Sequence, residues 1–439
     1  MNAPMARQRP IPNLRWWIIG LLFLSTVINY VDRQTLSVLA RTIQDDLGLT
    51  NQQYAYIVQA FLLAYTLSYL VSGRITDWLG TRASMAAFII WWSLANITTA
   101  FASSALTLGL SRFLLGVGEP GNYTAGPKAV SEWFTPRERG LAYGIYTMGA
   151  TIGATIAPPL IAWLAVSYGW RFAFVITGAL GLVWVMPWLW LYRPPHEHPR
   201  LSDAERTLVP AVEPVAPPTA NGSNTAAATG EWERWRGLLN DRSTWLLLLS
   251  RLLTDPVWYF YLFWFPKYLS DARGLTLVEV GRVAWVVYLA ADLGSVAGGW
   301  LSGRFIGRGL RPIPARKAVL RIAAVCVLVG PFVPFATSLP IVLLCAAGVA
   351  LAHLAWQVTL SALIVDRYPT SSLATAFGLI AAGSGFGGMV STGVVGYLVT
   401  NYSYTPVFVG MAMLHPLALA LVWFVRDERH RETDAEAAA

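Results

Sequence analysis

Twelve times along this chain an apolar run recurs that is long enough to cross about 30 Å of hydrocarbon, at roughly 20 residues each. The runs centre near Phe23, Leu62, Trp92, Val117, Ile152, Leu182, Tyr259, Ala291, Val327, Ala350, Gly385 and Leu417. In hydrocarbon the backbone has no water to bond, so such segments must be helices or strands of a closed barrel. Continuous apolar runs without period-two alternation select helices. Composition agrees: 55% of the 439 residues are apolar, 13% are charged, and the mean hydropathy is +0.49, outside the range of soluble domains. The chain reads as an all-α polytopic membrane protein with twelve transmembrane helices. Arg7, Arg9 and Arg15 ahead of the first run imitate a signal peptide, but the run is too long and no small-residue cleavage site precedes Asp32, so it is read as a retained first helix.

Charge sorts by membrane side. With the N-terminus inside, 23 of the 32 Lys and Arg residues fall on the inner side. Five fall outside (Arg41, Arg171, Lys267, Arg273, Arg282) and four are embedded (Arg33, Arg112, Lys128, Arg251). Cytoplasmic loops carry the excess of basic residues, so both termini are expected in the cytoplasm. The net charge of +8 is then topological and implies no nucleic-acid partner. Cys326 and Cys345 both lie in apolar runs, so neither a disulfide framework nor a thiolate metal site is indicated. The chain shows no phosphate-binding loop, no metal-ligand cluster and no soluble domain large enough for catalysis. It is expected to be no enzyme, to need no cofactor or metal, and to draw energy from a gradient.

Residues 209–230 are rich in Pro, Ala, Thr, Asn and Gly and hold no aromatic residue, the composition of a flexible linker. The expected organisation is a tail (1–15), a six-helix bundle (16–193), a linker (194–241), a second bundle (242–426) and a tail (427–439). The halves repeat. A shift of 234 superposes Glu132 on Asp366, Phe134 on Tyr368, Ala142 on Ala376, Gly149 on Gly383 and Gly153 on Gly387, and a shift of 230 superposes Ser72-Gly73-Arg74 on Ser302-Gly303-Arg304. Between the second and third runs stands Gly73-Arg74-Ile75-Thr76-Asp77-Trp78-Leu79-Gly80-Thr81-Arg82. This resembles the loop signature of the major facilitator superfamily, with Trp78 where the family usually has Arg and Gly307 where the second half would hold the acid. The resemblance implies two six-helix repeats around a central cavity, with substrate near the midplane. It also implies gating roles for Gly73, Asp77 and Arg82, Asp77 pairing with a helix end or a basic residue.

The acid–base pair in Asn29-Tyr30-Val31-Asp32-Arg33 sits inside the first apolar run, where a charge costs at least ~2.5 to 3.5 kcal/mol and is by default functional. Taken with Arg112-Phe113-Leu114-Leu115-Gly116-Val117-Gly118-Glu119 and Trp133-Phe134-Thr135-Pro136-Arg137-Glu138-Arg139, it is similar to the anion:cation symporter branch of that superfamily. The stretch from Thr254 to Trp264, followed by Pro266-Lys267-Tyr268-Leu269, is similar to bacterial hexuronate transporters. Arg112 and Glu119 are seven residues apart, two helical turns on one face. Asp32 and Arg33 diverge by about 100° and need different partners, whereas Tyr30 and Arg33 share a face. The reading offers Arg33 to a substrate carboxylate, which its planar fork matches, and turns Asp32 towards Arg112 and Glu119. Asp32 and Glu119 carry protons, since burial and a neighbouring Arg move a carboxyl in opposite directions. The competing reading is a static salt-bridge network joining the first and fourth helices.

Further candidates lie in the second half. Arg251 and Asp255, at i and i+4 ahead of Pro256, form either an intrahelical gating bridge or a substrate contact. Tyr259 or Tyr261 offers a stacking face or hydroxyl to a sugar ring. His353, Trp356 and Gln357 share a face of the tenth helix, with His353 at the repeat position of Glu119. His415 has no evident partner in the sequence. The resulting expectation is a proton-coupled symporter, working as a monomer, that takes up a small organic anion. A hexuronate such as glucuronate or galacturonate, or an aldonate such as galactonate, is expected. The alternatives are efflux or exchange of an aromatic or other carboxylate, and a non-transporting membrane sensor.

Overall fold

The computed structural model describes residues 9–209, 233, 235–275, 279 and 283–425. Its long helices are α1 (Leu14–Val38), α2 (Asn51–Leu79), α3 (Thr81–Thr98), α4 in two pieces (Ala105–Gly118 and Pro120–Trp133), α5 (Pro136–Tyr168) and α6 (Trp170–Leu191). After the linker come α7 (Arg242–Tyr259, a π turn at Phe260–Trp264, then Phe265–Arg273), α8 (Trp285–Gly307), α9 (Pro312–Val327), α10 (Leu339–Arg367), α11 (Leu373–Asn401) and α12 (Thr405–Trp423). Eight of them are by themselves long and apolar enough to cross a membrane. The other four are the split α4 and α7, the sixteen-residue α9 and the glycine-rich α8. No strand occurs among the described residues. Large apolar side chains such as Phe101, Val166, Met186 and Leu344 stand exposed, as a lipid-facing surface requires.

Local chemistry sets the helix ends. Thr50 caps α2 in a reciprocal box: its Oγ1 accepts from the Gln53 amide at 3.2 Å while Gln53 Oε1 accepts from the Thr50 amide at 2.9 Å. Ser104 and Thr107 do the same for α4. Gly80 (φ 77°) and Gly169 (φ 87°) are single-residue links, α2 to α3 and α5 to α6. The sequence placed the Gly73–Arg82 signature in a loop. The structure carries α2 through to Leu79, so Gly73 and Asp77 are helical and the link shrinks to Gly80. The break in α4 falls at Glu119, because Pro120 brings no N–H to the helical ladder.

The chain forms two compact units, one within residues 1–135 and 145–212, the other within 136–144 and 213–439. The first turns of α5 thus pack in the second unit. The internal repeat is visible in each unit. Cβ atoms at Gly149 and Gly153 would lie 2.4 and 2.6 Å from the carbonyls of Phe23 and Val27 on α1, and at Gly383 and Gly387 they would lie 2.6 and 2.3 Å from those of Leu248 and Leu252 on α7. The matched pair Phe134 and Tyr368 both turn extended, directly after α4 and α10.

Part of the expected linker is folded. Residues 195–209 return against the start of α1, where Glu205 accepts from the Leu14 amide at 3.3 Å and Ile11 donates to the Arg200 carbonyl at 3.0 Å. The aromatic-free stretch 210–230 and the tails 1–8 and 427–439 lie outside the described residues. His198 holds the returning segment: Nε2 meets the Leu191 carbonyl at 2.9 Å, and Nδ1 accepts from the Arg200 amide at 3.1 Å. Nδ1 must therefore stay unprotonated. Burial, helped by Arg193, Arg200 and Arg206 and opposed by the Leu191 carbonyl, lowers the His198 pKa from its usual 6.5. Folding favours the neutral ring, so its contribution to stability is complete above pH 6.5 and declines as pH falls towards the lowered pKa. His198→Gln keeps a donor and an acceptor without titrating. Wild type is expected to lose more melting temperature than this variant between pH 8 and pH 5; equal losses would exclude His198 as the cause.

Candidate functional site

In the first unit the embedded charges of α1 and α4 meet, in a different pairing from that expected. Arg33 Nε and Nη2 both donate to Glu119 Oε2, at 2.9 and 2.5 Å. The rings of Tyr30, Phe61 and Tyr65 surround the guanidinium, with Cζ 5.0, 5.5 and 4.6 Å from their centroids. The Arg33 side chain is 27% exposed and Glu119 is wholly buried. Arg33 is thus the accessible member of the pair, held by carboxylate on one side and aromatic faces around it.

Asp32 is fully buried and reaches Arg112 only through a third residue. Asn96 Nδ2 donates to Asp32 Oδ1 at 2.7 Å and to Thr177 Oγ1 at 2.9 Å, while Asn96 Oδ1 accepts from Arg112 Nη2 at 3.0 Å. Arg112 Nη2 also donates to Thr99 Oγ1 at 2.6 Å, and the guanidinium lies over Phe174. Asp32 is therefore joined to Arg112 by an amide rather than by a direct ion pair. Sequence reasoning missed Asn96, Thr99 and Thr177. The available signal was a carboxamide in the apolar run Ile89–Ala100, where an uncompensated polar group is costly. One oxygen of each acid, Asp32 Oδ2 and Glu119 Oε1, is buried without a partner among the described residues.

The signature residues sit at the far end of α2. Asp77 Oδ1 pairs with Lys128 Nζ at 2.8 Å, both side chains nearly fully buried. Arg82 donates to the Leu189 carbonyl. Gly73 is buried in the helix. Breaking a buried pair from one side strands the other charge and costs about 3–5 kcal/mol. Asp77→Asn should therefore lower the melting temperature and folded yield sharply, and Asp77→Asn with Lys128→Met should recover most of both. A double variant no better than the single would show that the pair itself is not what matters.

The second unit has its own polar groups. Arg251 and Asp255 form the intrahelical bridge, Nη1 to Oδ2 at 3.3 Å, and Arg251 Nη2 donates to Ser361 Oγ at 2.5 Å. His353 is fully buried, its Nδ1 3.1 Å from Nε2 of His415, and its ring lies parallel to that of Trp258. Trp356, also buried, meets His415 edge to face. Gln357 and Tyr259 are half-buried, whereas Tyr261 is 2% exposed within the apolar core. At the end of α10 Asp366 accepts from Arg139 Nη1 at 2.9 Å and Arg316 Nε at 3.1 Å, a cluster sequence reasoning did not single out.

Comparison with known proteins fits this architecture. The model of the Major Facilitator Superfamily matches residues 22–315 and 311–439. The chain is 34% identical to a hexuronate transporter of Escherichia coli (strain K12) over 424 residues, covering 95% of each. It is 35% identical to a galacturonate transporter of Dickeya chrysanthemi over 343 residues, 78% of this chain and 97% of that one. The fold superposes on the proton:xylose symporter XylE with a TM-score of 0.73 at 14% identity, covering 94% of this chain and 96% of that one. Repeated six-helix halves, glycine-to-carbonyl packing in each and charges buried on α1 and α4 are thus found in a chain that aligns over 95% of its length with a transporter, and it belongs to the Major Facilitator Superfamily.

Proposed function

We propose that this protein is a proton-coupled symporter for a small organic anion, a sugar acid of the hexuronate or aldonate class, placed in the bacterial inner membrane with both termini cytoplasmic and working by alternating access. The observation that carries the reading is the Arg33–Glu119 pair. A substrate carboxylate and Glu119 compete for one guanidinium fork. A proton taken by Glu119, at its unpartnered Oε1, removes the charge that holds Arg33 and leaves the fork to the substrate. Losing that proton returns Arg33 to Glu119 and expels the anion. Asp32, with its own unpartnered oxygen, is the second acid, and its state reaches Arg112 through Asn96. The names of the relatives support the substrate class, since they include transporters of hexuronate and galacturonate.

The test is uptake by pure protein in liposomes. Labelled glucuronate or galacturonate should accumulate under an acid-outside gradient and leak back on adding a protonophore. No uptake of any sugar acid would sink the proposal, and binding without transport would favour a sensor.

A further inference from the structure

A column of buried polar atoms leads away from Asp32 along α1, and α6 sets its levels. Thr177 of α6 bonds Asn96, which bonds Asp32. One turn along, a Cβ on Gly181 would lie 2.1 Å from Ser93 Oγ. A further turn along, Trp184 donates to the Leu21 carbonyl of α1. Thus α6 runs antiparallel to both α1 and α3. Asn29, one turn before Asp32, shares a level with Ser93, one turn before Asn96. The next turn of α1 brings Ser25 and Thr26, which donate to and accept from the Asn122 carboxamide at 2.8 and 3.0 Å.

The middle level stands out. Asn29 and Ser93 are fully buried, yet Asn29 Oδ1 and Nδ2 and Ser93 Oγ have no hydrogen-bond partner among the described residues, whereas Asp32 above them interacts with the neighbouring Trp92 and with Thr177. A carboxamide has two donor hydrogens and an acceptor oxygen to satisfy. A buried polar group left without a hydrogen bond bears the full cost of leaving water. Buried polar groups without a protein partner are met by ordered water, which takes two to four polar partners. Ser93 Oγ packs against the backbone of Gly181, where no side chain fits.

We infer that Asn29, with Ser93, holds water that carries the proton between Asp32 and the end of α1 where the chain begins. The inference rests on the proposal that Asp32 is a coupling acid. In the transfer the O–H bond at Asp32 Oδ2 breaks as a water oxygen takes the proton. That water gives one of its other protons onward, and Asn29 orients it without changing charge. Asn29 touches neither Arg33 nor Glu119 in this role, so substrate exchange that moves no net proton does not depend on it.

The experiment compares acid-driven net uptake with substrate counterflow in liposomes, for wild type, Asn29→Leu, Asn29→Ser and Ser93→Ala, using glucuronate or galacturonate, whichever wild type accumulates. Asn29→Leu is expected to cut net uptake at least tenfold with counterflow within twofold of wild type, and Asn29→Ser to restore at least half. Should Asn29→Leu fail to fold, Ser93→Ala decides, with net uptake down at least threefold and counterflow unchanged. Net uptake within twofold of wild type in Asn29→Leu overturns the route while symport stands. Uptake and counterflow falling together in both Asn29 variants also overturn it, by showing a structural role. A wild-type protein that moves the anion without response to the proton gradient overturns the symport reading, and the route with it.

Discussion

Asp32→Asn is expected to abolish uphill accumulation of substrate, to background, while counterflow exchange persists. Asparagine is nearly isosteric and can still present an oxygen to Asn96 Nδ2, which Asp32 Oδ1 now meets at 2.7 Å. The bonds through Asn96 to Arg112 and Thr177 then remain, so the fold and the site geometry should survive. What is lost is the ability to take and release a proton. The measurement is the ratio of net acid-driven uptake to counterflow in the same liposome preparation. An Asp32→Asn protein that still concentrates substrate would exclude Asp32 as a coupling site and leave Glu119 as the sole acid of the pair.

The second large effect is expected at Arg33. Arg33→Lys keeps the charge but loses the fork that places two N–H groups on one carboxylate oxygen, and an ammonium fills the cage of Tyr30, Phe61 and Tyr65 less well than a planar guanidinium. One charge-assisted hydrogen bond is worth about 1.5–3 kcal/mol, and 1.4 kcal/mol is tenfold in affinity. Substrate affinity should fall by about tenfold to a hundredfold, read by binding to solubilised protein. Because Glu119 loses the same fork, its release of a proton should become less dependent on substrate. Unchanged affinity would move the carboxylate site away from Arg33.

Which charged residues come together was legible wherever an ionised group interrupts an apolar run: Asp32, Arg33, Arg112 and Glu119 all lie in one unit of the structure, and Arg251 with Asp255 forms its bridge. How they pair was not legible. Two acids and two bases at similar depth admit several matchings, and the choice is made by Asn96, a neutral side chain that leaves no charge signal in the sequence. His415 looked isolated for a similar reason, since its partner His353 is 62 positions away on another helix. The Gly73 signature reads as a loop because it lies between two apolar runs, although nothing between Arg74 and Leu79 stops a helix. The π turn in α7 follows Pro256 but starts four residues later, beyond what a proline rule places.

The single-residue links at Gly80 and Gly169 bear on how the chain enters a membrane. At each junction the glycine closes one ladder and the next helix starts at once: the Gly80 amide meets the Thr76 carbonyl at 3.0 Å and Ser84 returns to Gly80 at 3.1 Å, while Gly169 meets Ala165 at 2.9 Å, so the link adds no bare peptide groups to those of the two helix ends. An open loop would drag several bare peptide groups through hydrocarbon, each costing several kcal/mol. A one-residue turn adds almost none beyond the two helix ends. With both termini cytoplasmic, as proposed, the Gly80 link stays on the inner side and the Gly169 link is the one that must cross, so α5 and α6 can insert as one hairpin with the shortest possible connection between them.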